Sequence, residues 1–291
     1  MNTEKTKKPL SKRHKIALAV ILLFFLLLGA ELVRSNTLID VENFEYKSAS
    51  IPESFDGVKI VLLTDYHNHG GSYEDRLIET VKEQSPDYIF LGGDIADRKR
   101  TDLPCAERFM RKCAEIAPCY FVYGNHELAL QNEPGLFEKF CDCADAAGVN
   151  VLNNTIIELE RDGDSIYLGG TTTTTGILSL EEQLAALDDT KQLLWLHHYP
   201  EDFEQYAATL SERGFDDMVM FCGHAHGGLI EIPFTKIGAF APGQGFLPKY
   251  TSGEYHSGGC EMLLSRGCGN SGYTLRLFDE FHVVVCTLRA G

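Results

Sequence analysis

Basic residues are scarce over most of this chain. Of 291 residues, 26 are Lys or Arg and 42 are Asp or Glu. The first 34 residues take seven of the bases and two of the acids, which leaves 19 against 40 and a net charge of −21 for the rest. A body that acidic repels a phosphate backbone, so unassisted nucleic-acid binding is excluded; part of the excess suits bound cations. No double CxxC pattern occurs, which excludes a zinc ribbon. Low-complexity sequence is confined to Thr171–Thr175, which reads as a polar loop after a strand. No clean linker divides the chain after residue 57, so residues 58–291 read as one domain. With 44% hydrophobic and 23% charged residues the composition is that of a globular protein.

What is present begins with a basic head followed by Ile16–Ala30, fifteen residues without a charge. The run is long for a signal-peptide core and short for a membrane span. Leu28 stands where cleavage after Ala30 would want a small residue, and no cysteine follows to take a lipid. Residues 1–34 therefore read as a basic head and an uncleaved signal anchor, in preference to a cleaved signal peptide, and residues 35–57 as a connector. Placing the bases before the apolar run keeps the head in the cytoplasm and the body outside: a single-pass protein of the cell membrane with an extracytoplasmic domain. Nine cysteines cannot all pair within one chain. Several stand in apolar runs, as in "VVVCTL" around Cys286, where a thiol is a small core residue. That fits an anaerobic setting, or a few disulfides with free thiols beside them.

Strand-like runs are expected at Val58–Thr64, Tyr88–Gly92, Cys119–Tyr123, Ile156–Leu159, Ile166–Gly169, Leu193–His197, Met218–Cys222, Cys260–Ser265 and His282–Leu288. Helical patterns fill Tyr73–Gln84, Ala106–Ile116, Leu136–Ala147, Leu180–Leu187 and Asp202–Arg213. The early βαβα alternation implies parallel pairing with right-handed crossovers.

The chemistry-bearing residues follow the strands. Asp65-Tyr66-His67, Gly93-Asp94, Gly124-Asn125-His126-Glu127, His197-His198-Tyr199-Pro200 and Gly223-His224-Ala225-His226 each stand after an apolar run. In parallel α/β sheets that edge is where ligands bind. If the chain stays extended past Leu63, Asp65, His67 and His69 share one face. Carboxylate and amide oxygens suit hard metals, and imidazole suits zinc, iron and manganese. Each fragment alone is weak, since Asp-x-His arises by chance and a single His is usually surface or satisfied core. Five in this order point to a metal site.

The order D-x-H, GD, GNHE, H-x-P, GHxH resembles the calcineurin-like metallophosphoesterases. "FDGVKIVLLTD", "GHAHGG" and "PGQGFLPKYTSGEY…LLSRGCGNSG" are similar to the bacterial membrane-anchored, phosphodiesterase-like subgroup, whose relatives include UDP-diacylglucosamine hydrolases and cell-wall-associated phosphoesterases. The resemblance implies an αββα sandwich, two mixed sheets flanked by helices, with a dimetal site at one edge. It implies that Asp65, His67 and His226 hold one ion (Mn, Zn or Fe), that Asn125, His198 and His224 hold the other, and that Asp94 bridges them. His126 would serve the leaving group as acid or charge stabiliser. His198, rather than His197, matches the H-x-P spacing. His69 matches no family ligand and reads as a rim residue. Arg98 reads as a phosphate contact or a solvated cation. The implied activity is hydrolysis of phosphoric esters, as a phosphodiesterase or diphosphate hydrolase on an envelope, lipid-linked or cell-wall-linked substrate, through a metal-bridging hydroxide. A phosphomonoesterase or protein phosphatase using the same site is the alternative. A non-catalytic metal-binding envelope protein is a third reading, and the complete ligand set argues against it.

Overall fold

A computed structural model of the chain describes residues 11–233, 235, 237–271 and 275–291. Lys5, Lys7 and Lys8 of the basic head, and Gly272 at the end of the quoted tail, lie outside these residues.

Helix α1 (Lys12–Ser35) opens the described chain, capped by the Ser11 hydroxyl. At about 1.5 Å per residue its 24 residues reach about 36 Å, with the uncharged run Ile16–Ala30 covering about 22 Å of it and charged residues at both ends, against a hydrocarbon core of about 30 Å. Its apolar side chains project into solvent, and Leu18, Leu22, Phe25 and Leu27 are each more than 60% exposed. By length and composition it can cross a membrane.

Strand β1 (Ile39–Ser48) follows, then β2 (Lys59–Leu63), α2 (Ser72–Gln84), β3 (Tyr88–Leu91), α3 (Leu103–Ala114), β4 (Cys119–Phe121), α4 (Asn125–Ala129), α5 (Leu136–Ala147) and β5 (Asn150–Val151). The second half holds β6 (Thr155–Arg161), β7 (Asp164–Thr171), α6 (Glu181–Ala185), β8 (Leu193–His197), α7 (Phe203–Ser211) and β9 (Val219–Cys222). Two short antiparallel pairs come next, β10 (Glu231–Ile232) with β11 (Ile237–Gly238) and β12 (Phe240–Ala241) with β13 (Gly245–Phe246). Strands β14 (Gly253–Ser257), β15 (Cys260–Leu264) and β16 (Phe281–Ala290) close the chain.

Two six-stranded sheets result, ordered β1-β16-β2-β3-β4-β5 and β14-β15-β9-β8-β7-β6. Strands β2 to β5 run parallel, as do β15, β9, β8 and β7. Antiparallel contacts of β16 with β2, β14 with β15 and β6 with β7 make both sheets mixed. The period-2 alternation of a strand explains the layers. In β2, Ile60 and Leu62 enter the apolar layer between the sheets, while Val61 and Leu63 face α2, α3 and α5. In β8, Leu194 and Leu196 point between the sheets, and Leu193 and Trp195 pack toward α7. Being apolar on both faces, such strands read as continuous hydrophobic runs, each fully buried residue contributing about 1.5–3 kcal/mol. The result is the expected αββα sandwich.

The structure departs from the sequence reading at several points, some of which bear on how the sheets and the site are built. The connector of residues 35–57 contains β1, whose ten residues pair in parallel with β16, so the sheet begins at Ile39. Its side chains are half-buried or exposed until Tyr46 and Ser48, which are buried, and so gave no apolar run. Leu180–Leu187 is a 3₁₀ turn (Gly176–Leu180) followed by only five residues of α-helix. Thr171 and Thr172 are buried: Thr171 Oγ1 accepts from Trp195 Nε1 at 3.1 Å and Tyr206 Oη at 3.1 Å. All nine cysteines are free thiols, seven of them buried as small core residues.

Candidate metal centre

The carboxyl ends of β2, β3, β4, β8 and β9 meet at one edge of the sandwich. Beyond the strands the loops remain zipped together. The amides of Asp65, His67 and Asn68 donate to the carbonyls of Gly93, Asp94 and Ile95 at 2.9, 3.0 and 3.0 Å, and Gly223 N donates to His198 O at 3.2 Å. Between Asp65 and His67, Tyr66 turns the other way, stacks on Phe109 at 3.9 Å and donates to Glu74 at 2.7 Å. Burial works to raise Glu74, but Arg108, Lys112 and Tyr66 bond its carboxylate and hold it down at about 2.

The chain does not stay extended past Leu63. Asp65 (φ 54°), His67 (φ 50°), Asp94 (φ 56°), His224 (φ 69°) and His226 (φ 49°) all adopt the left-handed region that non-glycine residues avoid. Left-handed turns, not strand alternation, bring Asp65 and His67 together. His69 departs from them: its ring packs on Tyr73 at 4.3 Å and Phe281 at 4.9 Å. It remains half-buried there. Two glycines admit close approach. A side chain on Gly223 would meet Asp65 Oδ2 at 2.6 Å, and one on Gly93 (φ 95°) would meet His198 Nδ1 at 2.7 Å.

Two clusters form around Asp94. In the first, His67 Nε2 lies 3.2 Å from His226 Nε2, and Asp65 Oδ1 lies 4.0 and 3.5 Å from those two atoms. In the second, His198 Nε2 lies 3.2 Å from Asn125 Oδ1 and 3.1 Å from His224 Nδ1. Asp94 Oδ2 faces both, 3.8 Å from His67 Nε2 and 3.4 Å from His198 Nε2. Imidazole nitrogens, carboxylate oxygens and an amide oxygen that converge at these distances can hold metal ions once the ring protons between them are lost. Asp65 Oδ1 is buried with no hydrogen-bond partner, an oxygen that a cation would satisfy.

Electrostatics distinguish the clusters. Burial brings His67 and His226 down to about 3, assisted at His226 by the Arg276 guanidinium, and burial with the His198 ring brings His224 to about 3. These rings are neutral at pH 7, the state that ligates metals. Burial also opposes charge on His198, yet Asp94 beside it lifts His198 to about 10. Asp94 in turn stays well below the usual carboxylate range, against its own burial, because His198 is next to it. His198 Nδ1–H donates to Gly92 O at 2.7 Å, which aims Nε2 into the cluster.

His126 sits at the mouth. Its Nδ1 accepts from Arg98 N at 3.1 Å, so in the neutral ring the proton is on Nε2, 3.9 Å from Asp94 Oδ2. Burial lowers this ring, but Asp97, Asp94 and Glu127 outweigh it and the net shift is upward. A cavity of about 170 Å³ opens here, lined by Asp94, Arg98, Asn125, His126, His224 and His226 with Leu229, Pro242 and Ser271. Arg98 thus borders the site with its side chain exposed.

His197 is elsewhere, bonded to Asp202 at 2.9 Å and stacked on Tyr206, while its neighbour enters the site. Two contributors escaped the sequence reading. Glu127 accepts from the amides of Asp94, Ala96 and Gly124, each at 2.8 Å, tying two ligand loops together. Arg276, fully buried, places Nη2 3.3 Å from His226 Nδ1 and bonds Asp279 and the carbonyls of Arg266 and Gly269. The "GNHE" motif signalled the first; nothing in the local sequence signalled the second.

A carboxylate set between two imidazole-rich clusters, at the strand ends of an αββα sandwich, defines a dinuclear metallohydrolase. The chain belongs to the calcineurin-like phosphoesterase family, whose model matches residues 58–228. It is similar to the uncharacterized metallophosphoesterase YkuE of Bacillus subtilis, 28% identical over 87% of this chain and 86% of that one. The phosphodiesterase YaeI of Escherichia coli is 27% identical over 75% of this chain and 77% of its own. A transmembrane protein with a metallophosphoesterase domain from Danio rerio is 25% identical over 86% of this chain and 57% of its own. Among solved structures, a dimetal phosphatase from Danio rerio superposes with TM-score 0.43 at 10% identity, covering 73% of this chain and 88% of that one. The chain is a metal-dependent phosphoesterase, and two metal ions are its cofactor.

Proposed function

We propose that the protein hydrolyses phosphodiesters or diphosphates of an envelope or lipid-linked compound, anchored by α1 with its catalytic domain outside the cell membrane. The observation that carries the reading is Asp94 Oδ2, placed between His67 and His198 so that one carboxylate serves both clusters. Asp65, His67 and His226 hold one ion, Asn125, His198 and His224 the other, and Asp94 both. Bound there, the ions supply Lewis acidity and a water of lowered pKa. Arg98, at the cavity edge, offers a cation to a phosphoryl oxygen. His126 presents Nε2–H to the leaving oxygen, its orientation set by the Arg98 amide at Nδ1. Asn125 and His126 stand at the start of α4, where Glu127 fixes the turn. The YaeI relative is named a phosphodiesterase, which supports the diester reading. The zebrafish relative is named transmembrane, which supports the anchor.

Turnover of bis-p-nitrophenyl phosphate and p-nitrophenyl phosphate, with and without manganese, tests the reaction. Metal-dependent preference for the diester is expected; preference for the monoester would move the reading to a phosphomonoesterase. Protease added to intact cells with the outer envelope opened is expected to digest the domain. A domain protected until the inner membrane is broken would reverse the topology.

A further inference from the structure

The segment after the last pair of ligands is apolar in a chain that is otherwise acidic. From Leu229 to Tyr250 it carries one acid, Glu231, and two lysines, Lys236 and Lys249, in a body of net charge −21. Tyr250 is buried, but several of the described large apolar side chains are not. Ile232 is 40%, Ile237 45%, Phe240 40%, Phe246 85% and Leu247 67% exposed. The pairing groups them. Ile232 stands opposite Ile237 in one short hairpin, and Phe240 opposite Phe246 in the next. Side chains directly opposite in an antiparallel pair share a face. The centroids of the two phenylalanine rings lie 5.4 Å apart, edge to face. An isolated exposed side chain needs no explanation, but successive pairs on one segment mark a contact surface.

Two connections say what the surface meets. The first leads to α1. Ile230 bridges Leu277, and the amides of Glu231 and Leu277 donate to the carbonyls of Leu277 and Leu229. Arg276, one residue back, is bonded from both sides by Asn36 at the end of α1: Asn36 Nδ2 donates to Arg276 O at 2.8 Å, and Asn36 Oδ1 accepts from Arg276 N at 3.1 Å. Leu275, 64% exposed, stands at this junction. The second leads to the metal centre, because Leu229 and Pro242 of the same segment line its cavity. Backbone contacts and cavity-lining residues therefore tie this exposed apolar segment both to the foot of the apolar helix and to the mouth of the site.

We propose that this surface seats on the lipid bilayer. The two short hairpins and Leu275 enter the interfacial zone beside α1 and hold the cavity mouth against the membrane, so that the site works on phosphoesters lying in the lipid surface. The proposal rests on the reading of α1 as a membrane anchor. Apolar insertion, not attraction of charge, supplies the contact, since three charged groups with a net of +1 give little electrostatic pull. Binding is then expected in neutral phosphatidylcholine and to persist in salt.

The only tryptophan, Trp195, is fully buried, which makes an added indole readable. The full-length chain carrying Phe246→Trp is placed in phosphatidylcholine vesicles with brominated acyl chains. Leu178→Trp, at a residue 61% exposed in the 3₁₀ turn before α6, is the comparison. The expected result is blue-shifted, bromine-quenched emission gained at position 246 and absent at 178, unchanged at high salt. A chain that floats with vesicles while position 246 stays unquenched overturns the docking and leaves the anchor standing. A chain that does not float overturns both. A blue shift at 246 that follows protein concentration without bromine quenching assigns the face to a second copy and also overturns the proposal. In the same vesicles Phe240→Ser with Phe246→Ser should slow hydrolysis of a lipid-embedded diester several-fold, with bis-p-nitrophenyl phosphate turnover unchanged. An equal fall on both substrates would mean that the hairpins only support the cavity.

Discussion

Each metal cluster sets two imidazoles beside one oxygen donor, Asp65 in one and Asn125 in the other, and yet the rings are backed in opposite ways. Behind His226 stands Arg276, a guanidinium that can only donate; behind His198 stands the Gly92 carbonyl, which can only accept. His67 and His226 lose their protons down to about 3, chiefly through burial, whereas Asp94 keeps a proton on His198 up to about 10 despite burial. One cluster is uncharged at neutral pH, though Arg276 leaves the His226 proton on Nε2, and it must move before that nitrogen can ligate. The other must first release a proton. The lesson is that ligand identity sets which metals fit, while the groups behind the ligands set how binding couples to protons.

The largest effect is expected from removing what the clusters share. Asp94→Asn supplies a neutral amide to two cations and should strip both, with near-complete loss of activity and a retained fold, measured by metal analysis and circular dichroism. Wild-type turnover at saturating manganese would end the assignment of Asp94. The same variant should also bring His198 down, which a pH titration of the metal-free ring by NMR would show.

Next comes His126, which lies beside both clusters and is assigned to neither. His126→Ala should leave metal content nearly intact and slow turnover by roughly 10²–10⁴. The fall should be steeper for an alkyl diester than for a nitrophenyl ester, whose leaving group needs little protonation. Lost metal with a uniform rate drop would make His126 a support for the Asn125 loop.

Proton coupling sharpens the comparison directly. Calorimetric titration of the metal-free protein in buffers of different ionisation enthalpy should show about one proton released at the His198 cluster and almost none at the other. His226→Ala should remove the uncoupled step and His198→Ala the coupled one. Identical release in both variants would show that the clusters do not differ.

The smallest effect is on the stability of the metal-free fold. His67 and His226 are depressed in the folded state, so their contribution is present above about pH 6.5 and is lost as pH falls toward about 3. His198 is raised, so its contribution is full below about pH 6.5 and is lost as pH rises through about 10. Denaturant titrations should therefore show stability declining on both sides of neutrality. His226→Phe should flatten the acid limb, and His198→Phe the alkaline one.

Much of this was legible in the sequence because the signals are local. Residues buried on both faces must be apolar in succession, so β2, β3, β8 and β9 announced themselves, and the polar residues directly after them named the edge where ligands converge. His198 could be separated from His197 by its spacing to Pro200. Tertiary structure decided what depends on partners distant in the chain. Strand β1 lies on an edge, half exposed, and only β16, more than 200 residues later, makes it a strand. The left-handed turns at Asp65, His67 and Asp94 are held by amides zipped between loops, not by local propensity. Arg276 reaches His226 across 50 residues, and a lone arginine in "TLRLF" carries no mark of it. The sequence by itself determined which atoms are offered to the metals, because ligand chemistry belongs to residue type. Only the fold decided which of those atoms meet, how their protons are held and which apolar side chains stay outside, because each depends on burial and on neighbours that the chain brings together from far apart.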